Sequence, residues 1–141
     1  MRIQRHHTQR AAVGATEAEL NRRAISTART DHNQSGVDLV AILTDKCITV
    51  EVKGQQGENS DWFISKHRRA DTVFVLVFVP TLGLEGPGIF RFFIMTCADI
   101  DEAMQRYLQD RRGRGTSDNK WVPAIRWRDA VPYENCWKKI C

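Results

Sequence analysis

The sequence predicts a single α/β domain in which helices flank a mixed central β-sheet, and three observations carry that expectation. Gly36 to Lys53, GVDLVAILTDKCITVEVK, reads as two strands about a polar turn. Thr72 to Val79, TVFVLVFV, is apolar on both faces and marks a strand buried in the middle of a sheet. Two stretches with helix-start chemistry, at Thr16 and at Asp99, lie on either side of these strands, an order that packs helices against a sheet. The 141 residues fall within the usual range for one domain. We read 1–141 as that domain, with 14–110 as its core and 111–141 as a loop and a docking tail.

In chain order, MRIQRHHTQR is basic with no apolar segment behind it, so it does not read as a secretory signal. A helix is expected from Thr16, as N-cap, with Glu19 three residues on completing a capping box. Glu17 shares a face with Leu20, Ala24 and Ala28. Ile25 to Thr30 reads as a last helical turn or a short first strand, and Asp31 to Gly36 is polar. The hairpin follows, with Thr44-Asp45-Lys46 as its turn. Alternation on its second strand puts Glu51 and Lys53 on one face and Val50 and Val52 on the other. Residues whose numbers sum to about 90 lie opposite one another in such a hairpin, which brings Asp38 near the level of Val52 and within reach of Glu51 and Lys53.

Beyond Lys53, a polar loop leads to Asp61, expected to cap a helix carrying Trp62, Phe63 and Ile64 and ending in Lys66-His67-Arg68-Arg69. The buried strand follows, and Ile89 to Met95 is a further strand. Asp99 with Glu102 gives a second capping box, opening a helix through Met104, Tyr107 and Leu108. Arg111 to Asn119 reads as a loop, and Trp121 to Trp127 as an edge strand. Pro132 suits the first turn of a short helix on which Tyr133, Trp137 and Ile140 share a face.

Composition excludes little but narrows the partners. At 42% apolar and 27% charged the chain is ordinarily globular, and no apolar run is long enough to span a membrane, so a cytoplasmic protein without a membrane partner is expected. Cys47, Cys97, Cys136 and Cys141 form no C-x-x-C pair, and no disulfide framework is expected. The net charge of +4 suits an anionic partner, and Lys66, His67, Arg68 and Arg69 form its most informative basic cluster.

Two carboxylates on neighbouring strands with a lysine beside them make a hard-cation site, which is what phosphodiester hydrolysis requires. Val37-Asp38 followed by Glu51-Val52-Lys53 resembles the PD-(D/E)XK nuclease superfamily, and within it the archaeal Holliday-junction resolvases. Thr16-Glu17-Ala18-Glu19-Leu20 is similar to the first-helix A-E-x-E-L of those resolvases. The resemblance covers roughly residues 14 to 80 and departs from the family at the polar stretch 31–36. It implies a restriction-endonuclease-like fold and magnesium-dependent cleavage of DNA, with manganese as a substitute. In that scheme Asp38 and Glu51 are metal ligands, Lys53 orients water or phosphate, and Glu17 is an accessory carboxylate. Lys66, His67, Arg68 and Arg69 would approach the phosphate backbone, and a homodimer would supply the two cuts that a junction or duplex needs. Two other classes fit the same residues: a nucleic-acid-binding module of this fold without turnover, and a regulatory domain whose tail aromatics dock a partner. An E-x-K on a strand face also occurs as a plain ion pair.

Overall fold

The computed structural model describes residues 4–30, 37–65, 68–80, 88–113 and 124–141. In chain order they form α1 (Arg5–Arg22), β1 (Ser26–Arg29), β2 (Leu39–Ile42), β3 (Cys47–Gln55), β4 (Trp62–Phe63), β5 (Val73–Phe78), β6 (Arg91–Thr96), α2 (Cys97–Gly113), β7 (Ala124–Ile125) and α3 (Trp127–Ala130). Single 3-10 turns follow at Val131–Tyr133 and Trp137–Lys139. The main sheet runs β1-β2-β3-β5-β6, with β3 and β5 parallel and the other pairs antiparallel, so it is mixed as expected. Helices and the tail cover its two faces.

The predicted hairpin is β2 and β3, paired Leu39 to Val50 through Ile42 to Cys47. Ser26 to Arg29, ambiguous in sequence, is an edge strand on β2. On one face Val50, Val52, Val73, Val75 and Val77 pack with Ala12 and Leu20 of α1 and with Trp137 and Ile140 of the tail. On the other, Phe74, Leu76, Phe93 and Met95 pack with Ile100 and Met104 of α2 and with Trp62 and Ile125.

The structure corrects three boundaries. α1 begins at Arg5, so Thr16 is not its N-cap. Thr16 is buried mid-helix, where its hydroxyl donates to the Ala12 carbonyl at 2.8 Å. Thr8, Ala12, Thr16 and Leu20, every fourth residue, form the buried row. Because these side chains are mostly small, the helix lies close on β3: a Cβ added at Gly54 would stand 2.7 Å from that of Ala12. The second start moves one turn earlier. The Asp99 N–H donates to the Thr96 hydroxyl at 3.2 Å and the Thr96 N–H to the Asp99 carboxylate at 2.8 Å, so Thr96 takes the capping role assigned to Asp99.

The third correction removes a helix. Trp62 and Phe63 form β4, which pairs with β7, Trp62 to Ile125 and Phe63 to Ala124. A run of three apolar residues after a polar loop does not distinguish a helix turn from a strand, and the partner that decides it lies far along the chain. Trp127 then packs against Trp62 at 5.0 Å, Phe93 at 5.4 Å and Phe78 at 5.5 Å between ring centroids. Trp137 packs against Phe92 at 5.3 Å. The tail therefore docks on the chain's own sheet. Among the described residues no helix is long and apolar enough to cross a membrane.

Candidate active site

β3 presents Glu51 and Lys53 on the face opposite Val50 and Val52, as alternation requires. Glu51 is 5% exposed, and the Lys53 Nζ lies 2.8 Å from its Oε1. Asp38 immediately precedes β2. Continuing the register of Leu39 with Val50 by one step sets Asp38 level with Glu51, one residue short of the expected Val52. Its backbone is held on both sides, its N–H donating to the Val50 carbonyl at 3.0 Å and its carbonyl accepting from Thr30 N–H at 3.3 Å. Its Oδ2 accepts from the Val52 N–H at 2.8 Å. Burial raises the Asp38 carboxyl above its ordinary range, against the opposing pull of the Val52 N–H and the Lys53 charge. Asp38, Glu51 and Lys53 thus come together at one end of the hairpin.

Glu17 does not join them. Its carboxylate accepts from Arg29, 3.1 Å from the guanidinium, and from the Thr27 hydroxyl at 3.4 Å, both on β1. Among the described residues no group of three or more His, Cys, Asp or Glu side chains could hold a metal. Lys66 and His67 lie outside the described residues. The Arg68 side chain is 15% exposed, with its guanidinium on Asp101 and, at 2.8 Å, on the Ser65 carbonyl. Arg69 is exposed, 3.4 Å from Asp71.

Lys53 also lies on the wall of a cleft of about 1430 Å³ between the start of α1 and the segment after β3. Arg5, His6, Thr8 and Gln9 line one side, and Gln55, Gln56, Ser60, Asp61 and Phe63 the other. Phe63 is 56% exposed. Burial also raises the Asp61 carboxyl, with Asp129 adding to the shift and Arg126 opposing it. In the sequence Arg5 stands only within a basic amino-terminal stretch, and Gln9 carries no mark of its own. The buried row of fourth residues from Thr8 was the available signal, since it carries the helix back to Arg5 and places both residues against β3.

No family model and no curated protein matches this chain. Among solved structures it resembles the bacterial homing endonuclease I-Ssp6803I, with a TM-score of 0.55 over 97% of this chain and 92% of that one. The sequences are 11% identical. The likeness is one of fold, and it runs through nearly all of the chain.

Proposed function

We propose that this chain is a divalent-metal-dependent nuclease that hydrolyses phosphodiester bonds in DNA. The observation that carries the reading is the meeting of Asp38, Glu51 and Lys53 at the open end of the hairpin, with Lys53 also on the wall of a cleft that holds Arg5 and His6. The nuclease-like fold and the net charge of +4 support it. The donor set fits magnesium, which takes oxygen ligands and binds through one or two carboxylates while keeping its waters. A carboxyl that burial holds above its usual range is also a group whose ionised form a divalent cation would favour. Asp38 and Glu51 would hold the ion. When bound it would supply Lewis acidity at the phosphate and a bound water more acidic than bulk water.

The chain's own groups do the remaining work. The Lys53 ammonium has no lone pair for the metal and sets a positive charge directly beside Glu51. It can turn from that carboxylate toward negative charge developing on a phosphoryl oxygen. Asp38 is fixed through the Val52 N–H and through both of its own main-chain groups, so its carboxylate meets the ion without reorganising. Arg5 and His6 would bear the phosphates of the strand in the cleft.

A plasmid-nicking assay with magnesium, alongside calorimetric magnesium titration, tests this. The wild type should nick DNA and give metal heat. A protein that gives heat in neither and no nicks has only an ion-paired strand face. DNA binding without metal heat would favour the non-catalytic binding module instead.

A further inference from the structure

Among the described residues the outer half of β3 is strand-paired on one side only. Val52 to Gln55 pair with Val75 to Phe78 of β5, whereas the β2 pairing ends with Leu39 and Val50. On the β2 side the main-chain groups of Val52 and Gly54 are taken up by side chains. Asp38 accepts from the Val52 N–H. Gln9, on α1, does the rest: its Nε2 donates to the Val52 carbonyl at 2.7 Å and its Oε1 accepts from the Gly54 N–H at 3.1 Å. A residue of a parallel strand would make that same pair of bonds, to the carbonyl before and the N–H after the residue it faces. The residue that Gln9 faces is Lys53.

We propose that Gln9 is a positioning residue for Lys53, its amide making the pair of bonds a parallel strand would make and fixing the peptide groups on either side of the lysine. The proposal rests on the nuclease reading of Asp38, Glu51 and Lys53. The side-chain chemistry is restrictive: an amide carries a donor and an acceptor, whereas a carboxylate would face the Val52 carbonyl without a proton. The close approach that lets Gln9 reach both groups comes from Gly54 lying against Ala12 and the Thr8 carbonyl. Lys53 is thereby held from β5 through its own main chain and from α1 through its neighbours. Only its side chain, 33% exposed and paired with Glu51, remains to move. Gln9 shares the cleft wall and the first turns of α1 with Arg5 and His6. A strand seated there would press on the element that holds the lysine.

The experiment compares wild type, Gln9→Met, Lys53→Met and the double variant, each as the full chain with magnesium and supercoiled plasmid. Gln9→Met keeps the length of the side chain and loses both bonds. It should lower kcat about 100-fold, the scale of a roughly 1 Å misplacement, with KM for DNA and the calorimetric magnesium affinity unchanged. Added to Lys53→Met it should change nothing further, because the group it positions is gone. Amide hydrogen exchange at Gly54 should be slow in the wild type and fast in Gln9→Met. If Gln9→Met does not fold, Gln9→Asn, which keeps the amide but is too short to span both groups, should show the same kcat loss in milder form. Additive loss in the double variant, a change confined to KM or magnesium affinity, or unaltered Gly54 exchange would overturn the assignment. A wild type that does not nick DNA overturns the nuclease reading itself, whereas a nicking wild type matched by its Gln9 variants overturns only the role of Gln9.

Discussion

The two halves of β3 are built by different rules. From Cys47 to Val50 the strand is paired to β2 main chain to main chain, β5 joins at Val50, and Val50 is wholly buried. From Val52 to Gln55 one side is bonded to β5 and the other to two side chains, Asp38 and Gln9. The first arrangement resists change because a ladder of backbone bonds does not depend on residue identity. The second depends on it at each side-chain contact, and it occurs where the chain sets Glu51, Lys53 and the cleft. An active site at the end of a sheet needs open space beside the strand. Side-chain bonds close the strand's polar groups without filling that space.

The largest expected effect comes from breaking the open half at its charged groups. Lys53→Met should lower nicking about 10²- to 10³-fold, the loss seen when one preorganised charge or donor is removed from a transition state. Magnesium heat should persist, because the lysine is not a ligand. Glu51→Gln should instead lose metal heat and nicking together while DNA affinity holds or rises. An equal loss of metal heat in Lys53→Met would place the lysine in the fold of the site and not in its chemistry.

A smaller effect is expected at the seam between α1 and the open half. In Gly54→Ala the new methyl would stand 2.7 Å from the Ala12 Cβ and 3.1 Å from the Thr8 carbonyl, so the helix must move. Overpacking of this kind costs about 1 to 3 kcal/mol, readable as a fall in the urea midpoint. Nicking should fall too, since Gln9 rides on the displaced helix. Unchanged stability would mean that α1 has freedom to shift, and would weaken the view of the outer half as a rigid clip.

Asp38 offers a prediction of opposite sign. Its carboxyl is raised in the folded protein, so the unfolded chain releases that proton first. The stability it contributes is present below the ordinary carboxylate range and is lost as pH climbs through that range to the raised folded value. At neutral pH without metal the ionised form is therefore a cost. Asp38→Asn can keep an oxygen on the Val52 N–H and removes the charge, so its melting temperature should exceed that of the wild type at pH 7 in chelator and converge with it in acid. Magnesium should raise the melting temperature of the wild type and not of the variant.

How much of this was legible in the sequence follows the same division. The hairpin, the faces of Glu51 and Lys53 and the buried β5 were readable because strand alternation and apolar runs are local patterns. Asp38 was placed within one residue for the same reason. The seam was not readable. Thr16 and Glu19 have the spacing of a capping box, but a threonine hydroxyl can equally return to the carbonyl four residues back, and burial against β3 chose that outcome. Glu19 went to Arg22 and Arg23. Trp62 gave no sign of its strand because β7 lies across three intervening elements. Gln9 is 43 residues from the carbonyl it binds, and nothing in its own neighbourhood marks it.

The smallest expected effect concerns the surface beside the open half and asks which basic residues meet DNA. Arg5 is exposed on the cleft wall near Lys53, whereas Arg68, in the cluster most prominent in the sequence, is 15% exposed and spends its guanidinium on Asp101 and the Ser65 carbonyl. A side chain already paired and largely covered has little counterion to release. Each phosphate contact contributes roughly one unit to the slope of log affinity against log salt on duplex DNA. Arg5→Ala should therefore reduce that slope by about one and leave the melting temperature nearly unchanged. Arg68→Ala should do the reverse, leaving the slope alone and lowering stability by unpairing Asp101. Fluorescence anisotropy on a labelled duplex over a salt series, with chelator present so that binding is read without cleavage, distinguishes the two. If Arg68 carries the slope and Arg5 does not, the phosphate path runs past the end of β4 and away from the cleft, and the open half of β3 faces something other than the bound strand.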